Sequence, residues 1–287
     1  MSSNGAYTID PGVLAYYNSG AEKNRLHTDL GLIEFARTCE ILLEMLPPQP
    51  AVIYDIGGGY GEYAWWLASK GYTVHLYDLS EKNIEMSKQL ATDYPGCSFF
   101  HAAVADARQI PQEDASADAI LLFGPLYHII NHKQRQLALS ECMRLLKPGG
   151  LLFSAAITWY ATTLWAVTTY GEKNDLLGDA DFLEMIVREL TDGQHIKKPD
   201  TAYTGMGRSF FHLPNELNKE IMEAGFANVD VRGVIGPAWL IPNLTEQWKD
   251  AKRREHILNI VRMLEKEEPI MGLSTHLLAV ARKPSVY

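Results

Sequence analysis

The chain predicts an α/β fold: a seven-stranded, mostly parallel sheet flanked by helices and interrupted late by helical inserts. Three observations lead there. Short apolar runs alternate with amphipathic helical stretches, and a glycine-rich turn joins the first run to the helix after it. Past Thr158 this rhythm gives way to longer polar connections.

Residues 30–46 read as an amphipathic helix, with Leu32, Phe35, Cys39, Leu42, Leu43 and Leu46 at helical spacing. Pro47, Pro48 and Pro50 end it, because proline lacks the amide that a helix interior needs. The run Val52-Ile53-Tyr54-Asp55-Ile56 follows. Its near-continuous apolarity suits a strand buried on both faces of a parallel sheet. A helix over 62–70 stops at Gly71, and strands are expected over 73–77, 98–102, 119–123 and 151–157. Helices over 80–94, with Ser80 placed as the cap, and over 133–146 lie between them. Such alternation implies βαβ units with right-handed crossovers.

Beyond Thr158, residues 159–207 hold one clear amphipathic helix, at 181–190. A helix over 214–224, a strand over 229–234, a charged helical segment over 244–267 and a last strand over 274–282 complete the chain. Two inserts, 159–207 and 237–270, thus interrupt one α/β domain. Long connections in a compact domain tend to be functional, which favours a lid or substrate pocket for them.

Composition narrows the partners. Of 287 residues, 47% are hydrophobic and 21% charged, enough for a sizeable core. The formal net charge of −9 leaves no basic surplus with which to neutralise phosphates, so a small-molecule partner is expected rather than nucleic acid. Cys39, Cys97 and Cys142 lie far apart without a CxxC pair, which argues against a zinc site and a disulfide framework. Isolated cysteines fit a reducing compartment. The polar N-terminus shows no signal peptide, and no window approaches the roughly 18 apolar residues of a membrane span. A cytoplasmic protein without a membrane partner is expected.

The chemistry concentrates at Asp55-Ile56-Gly57-Gly58-Gly59-Tyr60-Gly61, between the first strand and its helix. Glycines allow a tight turn and let backbone amides approach a ligand closely. A dinucleotide site expects GxGxxG, with a pyrophosphate on the helix N-terminus. Here the last position of that pattern is Glu62, whose charge opposes a pyrophosphate. Asp78 ends the second strand about 20 positions on, where an acidic side chain accepts hydrogen bonds from ribose hydroxyls. That feature serves nicotinamide and other nucleoside sites alike.

The pattern D-x-G-x-G-x-G resembles motif I of the class I S-adenosylmethionine-dependent methyltransferases. Further along, Ala105-Asp106-Ala107 matches their acidic position against the adenine amino group. Asp114 to Ile120 resembles their run into strand four, with Ala117 in place of the usual aromatic. Arg144-Leu145-Leu146-Lys147-Pro148-Gly149-Gly150 resembles their turn into strand five. The likeness covers roughly residues 51–157, with an echo at Glu223-Ala224-Gly225-Phe226 and the last strand. It implies a Rossmann-like sheet whose last strand is antiparallel, and S-adenosylmethionine as cofactor with S-adenosylhomocysteine as product. It also implies an organisation within one domain over 1–287. N-terminal lid helices occupy 1–46 and a cofactor-binding core 51–157. Substrate-side inserts lie at 159–207 and 237–270, and the sheet is completed by 208–236 and 271–284.

The same resemblance implies the site. Asp55, Gly57, Gly59, Tyr60, Gly61, Asp78, Leu79, Ala105, Asp106, Ala107 and Phe123 would hold the cofactor. The segment 16–26 resembles the family's lid helix, where Tyr17 would pack on the sulfonium by cation–π attraction and Arg25 would pair with the cofactor carboxylate. The loop Phe123-Gly124-Pro125-Leu126-Tyr127-His128 would face the methyl group. His128, which titrates near neutrality, is the candidate base, with Tyr127 beside it. Trp159, Arg208 and His212 are candidates for substrate contact within an aromatic-rich insert. No metal site can be assembled from the carboxylate spacing. The competing readings are a protein or RNA methyltransferase, an NAD-linked oxidoreductase and a non-catalytic relative. Net charge and the inserts disfavour large substrates, Glu62 disfavours NAD, and the intact glycines and acids disfavour a lost site.

Overall fold

The computed structural model describes residues 11–18, 24–94, 97, 100–168, 173–203 and 205–285. The first half runs α1 (Pro11–Asn18), α2 (Asp29–Met45), β1 (Val52–Ile56), α3 (Glu62–Ser69), β2 (Thr73–Asp78), α4 (Glu81–Leu90) and β3 (Phe100–Val104). Then come β4 (Ala117–Leu122), the single turn α5 (Pro125–His128), α6 (His132–Leu145) and β5 (Leu146–Ile157). The first insert holds α7 (Ala161–Ala166), α8 (Ala180–Asp192) and the hairpin β6 (Gln194–Ile196) and β7 (Arg208–Phe210). The chain returns through α9 (Pro214–Glu223) and β8 (Ala227–Gly233). It ends with α10 (Leu244–Lys249), α11 (Ala251–Leu264), α12 (Glu268–Met271) and β9 (His276–Arg282).

Seven strands form one sheet in the order β3-β2-β1-β4-β5-β9-β8. Strands β1 to β5 are parallel neighbours, whereas β9 runs antiparallel between β5 and β8. The strand order reverses between β1 and β4. Alternate residues of each strand feed two cores. On one face Ile53, Leu121, Phe153 and Leu278 pack with Ile33, Ile41 and Leu42 of α2 and Leu67 of α3. On the other, Tyr54, Ile120 and Leu152 pack with Leu139 of α6 and Leu217 and Ile221 of α9. Burial on both sides explains why β1 and β4 read as continuous apolar runs.

Some expected boundaries move. Strand β5 starts at Leu146, because Ala117 and Leu146 already pair across β4 and the Pro148-Gly149-Gly150 stretch is carried within the strand. The charged segment expected as one helix over 244–267 breaks at Asp250, which has extended backbone and caps α11 by accepting from the Arg253 amide. The N-terminal helix lies earlier than expected, at Pro11–Asn18, with a 3-10 turn at Arg25–His27; residues 19–23 of the lid segment lie outside the described residues. The β6–β7 hairpin falls in what the sequence presents as connection. Among the described residues no helix is long and apolar enough to cross a membrane, and no group of metal-binding side chains assembles.

One buried ion network ties the helical layer to the sheet edge. Arg37 of α2 donates to both oxygens of Glu265 at 2.7 and 2.9 Å, and Arg232 of β8 donates to the same carboxylate at 3.3 Å. All three side chains are buried. Removing one member of such a cluster leaves its partners desolvated and uncompensated. Glu265→Ala is therefore expected to cost about 3 kcal/mol or more, read as a lowered midpoint in urea unfolding at unchanged slope.

Candidate functional site

In an open, doubly wound sheet, ligands bind outside the carboxyl ends of the strands at the point where strand order reverses. Here that point lies above β1 and β4. Two adjoining cavities open there, of about 750 Å³ and about 630 Å³, sharing Gly57 and Tyr17 on their walls.

The glycine loop forms the floor between them. Gly57, Gly59 and Gly61 have φ of 75°, 60° and 88°, in the left-handed region that side chains avoid. A Cβ on Gly57 would stand 2.6 Å from Pro125, so the loop after β4 can close down only onto a glycine. Nothing within 4 Å meets a Cβ on Gly59, so its backbone fronts open space a ligand can enter. Beneath the loop, the carboxylate of Asp55 is fully buried. Burial first, then the like charge of Asp78, push its carboxyl up to about 7, with the Ala64 amide pulling the other way.

Asp78 joins the loop to the next helix. Its Oδ2 accepts from the Gly59 amide at 2.9 Å, while Oδ1 accepts from the Ser80 amide at 2.9 Å and from Asn83 Nδ2 at 3.0 Å. The carboxylate also lines the smaller cavity. Leu79, Ala105, Asp106 and Ala107 line that same cavity with Gly124, Pro125 and His128. Asp106 shares this cavity with Asp78. Burial works against its charge, but hydrogen bonds from Arg108 at 2.6 to 2.9 Å outweigh this and lower its pKa. Two acids in one largely apolar slot suit the hydroxyls and exocyclic amine of a nucleoside.

The N-terminal segment covers this half. The Tyr17 hydroxyl makes a short hydrogen bond with His128 Nε2, and the rings meet edge to face at 5.0 Å. One residue on, Asn18 accepts from the Ser80 hydroxyl at 2.7 Å. The Asn24 amide donates to the Tyr60 hydroxyl at 2.8 Å, which fastens the glycine loop to the same segment.

The other cavity carries Gly57, Gly59, Tyr60, Arg25, Phe123 and Tyr127. Arg25 donates to both oxygens of Glu34, at 2.6 and 3.0 Å. Glu34 is buried, which favours its neutral form, yet Arg25 and then His276 lower its pKa and keep it ionised. Glu34, Thr38, Tyr63 and His276 also line this cavity, and no motif points to them. The substrate candidates fall elsewhere. Trp159 donates to the Phe211 carbonyl at 3.0 Å, Arg208 sits exposed on β7, and His212 is buried against Glu220 at 3.1 Å. Burial, offset in part by Glu220, lowers the His212 pKa. None of these three lines either cavity.

The fold is a doubly wound α/β sheet with a crevice at its switch point whose lining suits a nucleoside. Residues 54–154 match the family model described as a methyltransferase domain. That stretch carries a methyltransferase domain of the S-adenosylmethionine-dependent kind. The chain is 31% identical over 112 residues to a ubiquinone/menaquinone biosynthesis C-methyltransferase of Acidiphilium cryptum, spanning 38% of this chain and 43% of that one. A longer match, 26% identical over 250 residues, joins it to the tRNA 5-carboxymethoxyuridine methyltransferase of Escherichia coli, covering 85% of this chain and 84% of the relative. In fold it is similar to a methyltransferase of Methanosarcina mazei, with a TM-score of 0.56 and 18% identity over 85% of this chain and 98% of the other.

S-adenosylmethionine is the cofactor. When bound it supplies an electrophilic methyl group on a sulfonium. The residues present fit it: the Gly59 backbone opens onto the crevice, and Asp78 and Asp106 flank the nucleoside half. Phe123 and Tyr127 wall the other half, where they can exclude water and orient a nucleophile.

Asp78→Ala should weaken S-adenosylhomocysteine binding by roughly tenfold to a hundredfold, the worth of one lost charge-assisted hydrogen bond or more. Calorimetric titration reads this, and unchanged affinity would remove Asp78 from the site. Asp55 gives a pH dependence. Its folded pKa near 7 exceeds the unfolded value near 3.8, so the folded state holds the extra proton. Stability is therefore lost as pH rises from about 4 to about 7. Asp55→Asn should stabilise the ligand-free protein at neutral pH and lose that advantage near pH 4, as thermal unfolding across this range will report.

Proposed function

We propose that the protein transfers a methyl group from S-adenosylmethionine to a small-molecule acceptor, by in-line displacement at an oxygen, nitrogen or sulfur nucleophile. The observation that carries this reading is a third cavity, of about 1030 Å³, which meets the cofactor crevice at Arg25, Glu34 and His276. Its walls combine the 25–34 segment with Ala161, Trp165, Tyr203 and Met206 of the first insert, Trp239 of the second, and Phe211. An apolar chamber with few polar groups is the usual form of a small-molecule site. The inserts 159–207 and 237–270 act in this reading as a lid and pocket wall over a core at 51–157.

Within that frame Tyr17, Arg25, Asp55, Gly57, Gly59, Tyr60, Gly61, Asp78, Leu79, Ala105, Asp106, Ala107 and Phe123 form the cofactor site. Tyr127 faces the transfer region, and His128 lines the nucleoside half. The net charge of −9 supports a partner other than nucleic acid, and three free cysteines suit work in the reducing cytoplasm. A second reading has one specific observation in its favour. The longest match of those above is to an enzyme named for tRNA, and it runs over 85% of this chain.

Parallel titrations with S-adenosylmethionine, S-adenosylhomocysteine and NAD test the cofactor site; micromolar binding of the first two and none of NAD is expected. Methyl transfer should then be followed to a panel of aromatic hydroxyl, amine and thiol compounds and to unmodified tRNA. Turnover on the panel is the expected result. Turnover on tRNA alone, falling steeply with added salt, would establish the second reading instead.

A further inference from the structure

We propose that Arg135 is a positioning residue that ties the wall of the nucleoside cavity to the wall of the insert-lined cavity. The insert side of this tie rests on the methyl-transfer reading above, in which that cavity holds the acceptor.

Arg135 stands in the first turn of α6, just after the loop that follows β4. It is 2% exposed and lines none of the three cavities. Its Nη1 donates to the Ile129 carbonyl at 3.1 Å and to the Ile130 carbonyl at 2.6 Å. Ile129 lines the nucleoside cavity with Gly124, Pro125 and His128, and its own amide donates to the Pro125 carbonyl at 2.9 Å. Holding the backbone at 129 and 130 therefore fixes the far end of the loop that closes on Gly57. The single turn α5 offers little stiffness of its own.

The other edge of the guanidinium faces the insert. Nε and Nη2 donate to the two oxygens of Glu220 at 2.6 and 3.1 Å, and His212 Nε2 lies 3.1 Å from the same carboxylate. Burial works against the Glu220 charge, but hydrogen bonds from His212 and Arg135 outweigh it and take its pKa down to about 2. The acid thus stays ionised as the anchor. The guanidinium carbon stands 3.8 Å from the centroid of the Phe210 ring, which His212 meets edge to face at 4.8 Å. Phe210 and His212 flank Phe211. Side chains alternate along extended backbone, so Phe211 turns the opposite way, into the insert-lined cavity.

Only a guanidinium meets all of these demands. It offers a rigid planar fork of N–H donors and a flat face for an aromatic ring, whereas a lysine ammonium is a point charge with neither. The need for such a tie follows from the chemistry. In-line displacement requires the nucleophile behind the methyl carbon, and a misplacement of about 1 Å costs roughly a hundredfold in rate. The two halves of the site come from separate elements, and Arg135 sets their separation. Ligand binding in the nucleoside half is then felt at Phe211.

Amide chemical shifts of the full chain, with and without saturating S-adenosylhomocysteine, test the tie. In the wild type the ligand should move the Phe211 and His212 resonances, although neither residue lines the nucleoside cavity. In R135K that movement should vanish, while the resonances of residues 57–61 still respond. S-adenosylhomocysteine affinity should fall about tenfold in R135K, the worth of one or two lost hydrogen bonds. F210L removes the stacked ring but none of the Arg135 hydrogen bonds, and it carries the test if R135K does not fold. It should keep the affinity within about twofold and halve the movement at Phe211 and His212. Movement that persists in both variants, or is absent from the wild type, would overturn the tie to the insert. Unchanged affinity in R135K would overturn the hold on the nucleoside wall. A lowered melting temperature with affinity and shifts as in the wild type would make Arg135 structural only. None of these readouts uses an acceptor, so failure of the small-molecule reading shows separately, in the panel of acceptors. Failure of the wild type to bind S-adenosylhomocysteine would strike the cofactor site itself.

Discussion

The Asp78 carboxylate sits at the centre of the hydrogen bonds that join the glycine loop after β1 to the first turn of α4. One oxygen holds the Gly59 amide and the other holds Ser80 and Asn83. The loop can take this shape only because Gly57 and Gly59 adopt left-handed backbone, and it can lie flat only because Gly57 offers no Cβ to Pro125. Strand β1, strand β2 and the turn after β4 are thereby locked around one point. The same arrangement leaves Asp55 buried below with its charge opposed by Asp78. The floor of the crevice is stabilised around one acid and strained around another.

Much of this was legible in the sequence, for a reason particular to the core. Strands buried on both faces are apolar at every position, and β1 and β4 announce themselves that way. The turn chemistry at 57–61 and the acid at 78 are local, so a linear reading finds them. The acceptor side is assembled otherwise. Arg25, Glu34, Thr275 and His276 come from three separate elements, and nothing in the spacing joins them. One trace did exist: Glu34, Arg37 and Thr38 share the face of α2 that buries Ile33, Ile41 and Leu42. Polar groups on an apolar stripe ask for partners, but only the fold names them.

Trp159 and His212 illustrate the converse. An aromatic-rich insert reads as a pocket, yet rings also serve as core. Trp159 is tied to the Phe211 carbonyl, and His212 is sealed beside Glu220 with Arg135 donating to the same acid. Both steady the insert against the sheet. Trp165 and Tyr203, which line the insert-side cavity, are half-buried just as Trp159 is, and differ from it in position and not in type. A single sequence carries no signal for that difference.

Helix α1 buries none of its own residues; it is held over the nucleoside half by Tyr17 on His128 and Asn18 on Ser80. Hydrogen bonds of this kind contribute about 1 kcal/mol each, so each is a light tie beside the ladder of the sheet. Parting those contacts would uncover the crevice without breaking a hydrogen bond of the seven-stranded sheet.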